Sequence, residues 1–151
     1  VRPARAIFGR KDYQQLTLMR QVAQDLALGI EIVGAPTIRE SDGVAMSSRN
    51  RYLSPSERER AAAVPAALRA IAAAYADGER SASALLDVSL DGVDVEYLEL
   101  RAADLSPYDA DRPAVALIAG RVGTTRLIDN LELDPGAPAS AGDALHAKEP
   151  A

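Results

Sequence analysis

Cysteine and tryptophan are missing from this 151-residue chain, and its single histidine, His146, stands near the C-terminus. Without thiols there is no disulfide and no thiolate metal site, which suits a reducing, cytoplasmic setting. Aromatic residues make up only 4%, so the core must be aliphatic and rich in alanine. An excess of positive charge is also lacking: 17 Lys and Arg against 22 Asp and Glu give a net charge of −5. Broad binding to nucleic acid or anionic membrane rests on such an excess, so any phosphate site here must be local. No apolar run is long enough to span a bilayer, and the N-terminus has no charged-then-apolar signal pattern, so a soluble chain is expected. Nor is there an initiator Met: Val1-Arg2-Pro3-Ala4-Arg5 runs directly into the apolar Ala6-Ile7-Phe8, and reads as a start within a domain.

What is present is an ordinary globular composition, 48% hydrophobic and 26% charged, long enough for one core or two small domains. The polar stretch that organises the reading is Met46-Ser47-Ser48-Arg49-Asn50, preceded by Glu40-Ser41-Asp42-Gly43 and followed by Tyr52-Leu53-Ser54-Pro55. Two adjacent hydroxyls, a guanidinium and free backbone N–H groups all donate to anionic oxygens, so the loop suits a polyphosphate. A solvated connection is the plain alternative. A second polar cluster, Phe8-Gly9-Arg10-Lys11-Asp12-Tyr13-Gln14-Gln15, raises the functional reading because it lies one strand–helix unit earlier.

Ala6-Ile7-Phe8 reads as a buried strand, followed by a helix from about Asp12 with Leu16, Met19, Val22, Ala23 and Leu26 at helical spacing. Gly29 is expected to end that helix in the left-handed conformation. Ile30–Val33 is the next strand, giving a parallel strand–helix–strand unit whose ligands belong at the carboxyl ends of the strands. Both polar clusters lie there. Asp12 and Gln15 also form a possible capping box, whereas Lys11, a cation beside the positive end of a helix, fits better with an anion in front of it. Ser54-Pro55-Ser56-Glu57 is a strong helix start. It leads into a core stripe of Ala61, Val64, Leu68, Ile71 and Tyr75 that ends at Asp77-Gly78, with a kink expected at Pro65. Ser81 or Ser83 is expected to cap a shorter helix through Leu90. Val93–Leu100, Arg112–Val122 and Thr125–Leu133 read as three strands. The fold class expected is α/β: part of a parallel sheet over residues 1–50, then a small α+β domain of two helices and a three-stranded antiparallel sheet over 51–134. The boundary near Asn50–Ser54 could act as a hinge closing over a nucleotide. Residues 135–151, rich in Pro, Gly, Ala and Ser, read as a disordered tail.

These residues resemble the pantothenate synthetase (pantoate:β-alanine ligase) family of the nucleotidyltransferase superfamily. The resemblance rests on Phe8–Gln15, Ile32–Arg39, Gly43–Leu53 and Thr125–Asn130, in order, and covers nearly everything but the tail. It implies a Rossmann-like parallel sheet and an ATP- and Mg2+-dependent joining of pantoate to β-alanine through a pantoyl adenylate, releasing pyrophosphate and AMP. By resemblance Lys11 meets the phosphates and stabilises the transition state, Gly9 and Asp12 contact the ribose, and Gln15 binds pantoate. Backbone groups around Ile38 meet the adenine. Met46, Ser47, Ser48 and Arg49 form the family's version of the signature loop by which class I aminoacyl-tRNA synthetases grip ATP, with Arg49 in a catalytic role. No metal ligand is carried over, and a cytoplasmic homodimer acting on small molecules is implied. The family's His-x-Gly-His motif and its early substrate-binding residues are absent, and His146 in the tail cannot replace them. The chain therefore reads as the carboxyl half of such an enzyme, weak or inactive alone. A non-catalytic binding or assembly module built from the second domain is the alternative.

Overall fold

In the computed structural model, which describes residues 3–134, two strands open the chain: β1 (Arg5–Gly9) and β2 (Glu31–Ala35) pair in parallel, with Ala6 opposite Ile32 and Phe8 opposite Gly34. Between them a 3₁₀ turn, Arg10–Asp12, runs straight into α1 (Tyr13–Asp25). The Asp12 side chain makes no capping bond, contrary to the capping-box expectation. The preceding turn explains this, because its backbone already leads into the helix and leaves the carboxylate free. α1 also stops earlier than Gly29. Ala27 takes the left-handed conformation at φ 46°, and Leu28 and Ala27 donate to the carbonyls of Ala23 and Gln24, both at 3.0 Å. That paired pattern closes a helix end, here on alanine, and Gly29 turns the chain two residues later. Of the stripe predicted on α1, only Leu16 is buried, because a two-stranded sheet covers little more than the first turns.

Ser54 accepts the Glu57 N–H and Glu57 accepts the Ser54 N–H, so α2 (Pro55–Ala61) starts with the expected capping box. The predicted kink is a full break: α2 ends at Ala61 and α3 (Ala63–Ala76) begins two residues later, placing Pro65 in the first turn, where its missing N–H costs no bond. The stripe Ala61, Val64, Leu68, Ile71 and Tyr75 is buried throughout. α4 (Ala82–Leu85) is one turn long, and Ser81 shares its hydroxyl with Ser83 rather than capping it.

β3 (Asp94–Ala102), β4 (Ala114–Val122) and β5 (Thr125–Leu133) form the expected three-stranded antiparallel sheet, and their spatial order is β3-β4-β5. One face, carrying Leu100, Ala114, Ala116, Ile118 and Leu133, packs on α3 and α4. Val115 and Leu117 on the other face pack on Tyr13 of α1. A strand covered on both faces reads as a continuous apolar run, which is why Ala114–Ala119 shows no alternation. The expected tail, residues 135–151, lies outside the described residues, as does His146.

Candidate functional site

Residues 38–46, which follow β2, fold into a small hairpin and not an open loop. Met46 N–H donates to Ile38 O at 2.8 Å and Glu40 N–H to Val44 O at 2.9 Å, while Gly43, at φ 86°, closes the turn by donating to Glu40 O at 2.8 Å. A three-residue hairpin loop with a left-handed final residue calls for glycine at that place. Three side chains pin the hairpin. Arg39 grips Asp129 on β5 through bonds of 2.7 and 3.1 Å and also donates to Gly43 O at 3.0 Å. Arg58 of α2 pairs with Glu40 at 2.8 Å and with Asp42. Asn50, buried, donates to Glu40 at 2.5 Å and to Ala45 O at 3.2 Å, and its own Oδ1 has no partner. Ser47 Oγ accepts the Arg49 N–H at 3.3 Å and starts the 3₁₀ turn Ser48–Tyr52. On this braced base Met46, Ser48 and Arg49 face solvent, and Arg49 pairs with no carboxylate among the described residues.

Lys11 approaches from the turn before α1. Its Nζ donates to Ala45 O at 3.2 Å and Met46 O at 3.0 Å, joining the two polar clusters that the sequence separates by more than thirty residues. Burial lowers its pKa from 10.5, opposed by the nearby carboxylates of Asp129 and Asp12. Next to it is a cleft of about 150 Å³ whose lining includes Lys11, Asp12, Gln15, Tyr97, Asp129 and Asn130. Gln15 and Asp12 are exposed along it. Gly9 ends β1 at φ −70°, and a Cβ there would meet nothing within 4 Å, so neither backbone nor packing demands glycine. Ile38 and Met46, 60% and 55% exposed, lie opposite one another at the open end of the hairpin. The Ile38 carbonyl is already occupied by Met46.

The structure thus gathers Lys11, Asp12, Gln15, Ile38, Met46, Ser47, Ser48 and Arg49 at the carboxyl ends of β1 and β2, with Gly9 at the tip of β1. Sequence reasoning missed Arg39, Asn50, Asp129 and Asn130. Asn130 donates from Nδ2 to Arg10 O at 3.0 Å and Lys11 O at 2.8 Å. Asp129 and Asn130 close the Thr125–Asn130 motif, and two adjacent polar residues in an apolar strand were the signal available. Among the described residues no group of three or more carboxylates or imidazoles is placed to hold a metal ion.

Residues 1–132 match the family described as pantoate-beta-alanine ligase. Pantothenate synthetase from Mycolicibacterium smegmatis is 52% identical over 142 residues, covering 92% of this chain and 45% of that protein. The Nocardia farcinica pantothenate synthetase is 52% identical over 140 residues, 91% of this chain and 44% of its own length. The chain therefore spans about half the length of the curated relatives it matches. The crystal structure of pantothenate synthetase from Thermus thermophilus superposes with a TM-score of 0.79 at 39% identity, over 85% of this chain and 49% of that one. A Francisella tularensis pantoate-beta-alanine ligase, complexed with beta-gamma ATP and beta-alanine, shares the fold at a TM-score of 0.62 and 24% identity, over 92% of this chain and 46% of that one. On the match over residues 1–132 and on these relatives, the chain belongs to the pantoate-beta-alanine ligase family.

Proposed function

We propose that these residues form the carboxyl-terminal, phosphate-gripping part of a site that joins pantoate and β-alanine into pantothenate, consuming ATP through a pantoyl adenylate. The observation that carries the reading is the Lys11 ammonium, half-buried and bonded to the neutral carbonyls of Ala45 and Met46. A phosphate oxygen carries the charge opposite to the ammonium, which the carbonyls do not, so a nucleotide would draw Lys11 from them without moving the backbone far. Ser47, Ser48 and Arg49 would hold the β- and γ-phosphates, and Gly9, with open space where a Cβ would stand, would admit the ribose beside Asp12. Ile38 and Met46 offer the adenine an apolar seat, and Gln15 in the cleft would orient pantoate.

A pantoate carboxylate oxygen attacks the α-phosphorus as its bond to the bridging oxygen breaks, and pyrophosphate leaves with the charge. Lys11 and Arg49 neutralise that charge, which is positioning and electrostatics more than covalent chemistry. The β-alanine amine then attacks the acyl carbon, losing a proton as AMP departs. Mg2+ brought in on the phosphates would shield their charge. The same reading takes β1 and β2 as part of a Rossmann-like sheet, residues 1–50 and 51–134 as two domains hinged near Asn50–Ser54, and the enzyme as a cytoplasmic homodimer. It also assigns the remainder of the site to a His-x-Gly-His motif that these 151 residues do not contain.

The test is pyrophosphate release from the folded chain with MgATP and pantoate, with Lys11→Ala as control. Weak or no release is expected from the chain alone, and release that requires both pantoate and Lys11 from the chain supplied with the His-x-Gly-His half. Release indifferent to Lys11→Ala, or supported equally by other acids, overturns the reading.

A further inference from the structure

We propose that Asp129 and Asn130, the last residues of the Thr125–Asn130 motif, are the positioning pair that holds the two halves of this site in register. The inference rests on the ligase reading, but its geometry stands alone. Successive residues of a strand point to opposite faces. In β5, Asp129 lies opposite Ile118, on the face that packs against α3, whereas Asn130 lies opposite Leu117, on the face that packs against Tyr13. Two neighbouring side chains therefore reach in opposite directions. Asn130 sends both hydrogens of its amide to the consecutive carbonyls of Arg10 and Lys11, at 3.0 and 2.8 Å, and so fixes the turn that carries the ammonium. Asp129, itself only 4% exposed, receives the two-pronged Arg39 guanidinium, which also holds Gly43 O and so fixes the hairpin that carries Ser47–Arg49. Arg39 reaches the Asn130 carbonyl as well, at 3.4 Å.

Neither residue needs to touch a substrate for this role. The Lys11 turn and the hairpin that carries the hydroxyl loop are thus both tied to neighbouring residues of one strand, β5 of the other sheet, and not only through the connection at residues 36–38. A displacement of about 1 Å in such a site can cost on the order of 100-fold in rate, so the clamp bears on turnover and not only on folding.

The chain contains two lysines, Lys11 and Lys148, so labelling lysine at Cε gives a spectrum in which Lys11 is read directly. Asn130→Ala is expected to shift the Lys11 signal toward that of a solvated lysine and raise its titration midpoint toward 10.5. Leu131→Ala, which removes packing on the opposite face, is expected to lower stability and leave that signal unmoved. Should Asn130→Ala not fold, Asn130→Ser supplies the same comparison. In the protein that turns over, Asn130→Ala should lower kcat for pyrophosphate release about 100-fold with Lys11 present. The same substitution should change it by no more than about twofold in a Lys11→Ala background. Arg39→Lys, which keeps charge but loses the two-pronged bond, should raise KM for MgATP more than it lowers kcat. A Lys11 signal indifferent to Asn130 in a folded variant, or an equal loss of rate in both Lys11 backgrounds, overturns the proposal. Absence of pyrophosphate release even with the His-x-Gly-His half supplied, while the Lys11 signal still responds to Asn130, would instead overturn the ligase reading and leave the clamp standing.

Discussion

Arg39 and Asp129, ninety residues apart in the chain, meet through two parallel hydrogen bonds of 2.7 and 3.1 Å, with the carboxylate side chain 2% exposed and the guanidinium 17%. Breaking one side of such a pair leaves the other charge buried without compensation. Asp129→Ala is therefore expected to destabilise the chain by about 3–5 kcal/mol, read by urea denaturation. An exposed pair such as Arg5 with Glu31, broken by Glu31→Ala, should cost no more than about 1 kcal/mol. Equal costs would mean that the hairpin is not anchored through this bond.

Gly9 and Arg49 separate binding from folding. Gly9 has ordinary backbone angles and open space at its Cβ position, and Arg49 is exposed without a partner carboxylate among the described residues. Gly9→Ala and Arg49→Ala should each leave stability within about 0.5 kcal/mol. Each should raise KM for MgATP about tenfold, equal to about 1.4 kcal/mol of lost binding. A large fall in thermal midpoint with unchanged KM would assign both residues to the fold.

Gly123 joins the turn between β4 and β5 to the start of α2. It has φ 58° at the first position of a two-residue hairpin loop, and an added Cβ would overlap Glu57 Oε1, an oxygen of the carboxylate that caps α2. Gly123→Ala should cost about 1–2 kcal/mol for the left-handed backbone. Displacing the capping carboxylate should add about 1 kcal/mol. Denaturation of the same substitution in a Glu57→Ala background should recover the second share only.

Glu40 and Asp42 give the chain an acid limb. Both carboxyls are held below their ordinary 4.5 and 3.8, Glu40 chiefly by the Asn50 amide and then Arg58, Asp42 chiefly by Arg58. As pH falls the unfolded chain takes up these protons first, so stability is present above about pH 4.5 and is lost as pH drops through the lower folded values. Arg58→Gln should be less stable than the parent at neutral pH, and the gap should narrow on acidification, as measured by urea midpoints across the acid range. A gap that stays constant with pH would show that Arg58 acts through packing alone.

Local rules made much of this legible. The Ser54–Glu57 box, the stripe from Ala61 to Tyr75 and its end at Asp77-Gly78 depend on neighbours three and four residues away, and all are found where the spacing placed them. The errors share a cause. Asp12 has the right spacing to Gln15 for a cap, but a 3₁₀ turn took over the helix start, and Ala27 ended α1 because chain geometry, not side-chain preference, decided the last turn. Lys11 was legible as a cation without a local reason. That its neighbours would be Ala45 and Met46 was not, because those contacts pass through a sheet whose pairing no local pattern encodes. Asn130 was harder still, since an asparagine bonded to two backbone carbonyls leaves no trace in the residues it holds.

The place of β5 at the edge of its sheet has a consequence for solubility. The opposite edge, β3, protects itself with Asp94, Glu96, Glu99 and Arg101 and with a register shift between Val95 and Tyr97, devices that discourage strand-to-strand association. β5 has Leu127, Leu131 and Leu133 and no such irregularity in its pairing. The Lys11 turn and the Ser48–Tyr52 turn both lie against this strand. The turns that carry the proposed chemistry are thus also neighbours of an edge strand, so a variant that loosens them is expected to lose monodispersity along with rate, read by size-exclusion chromatography.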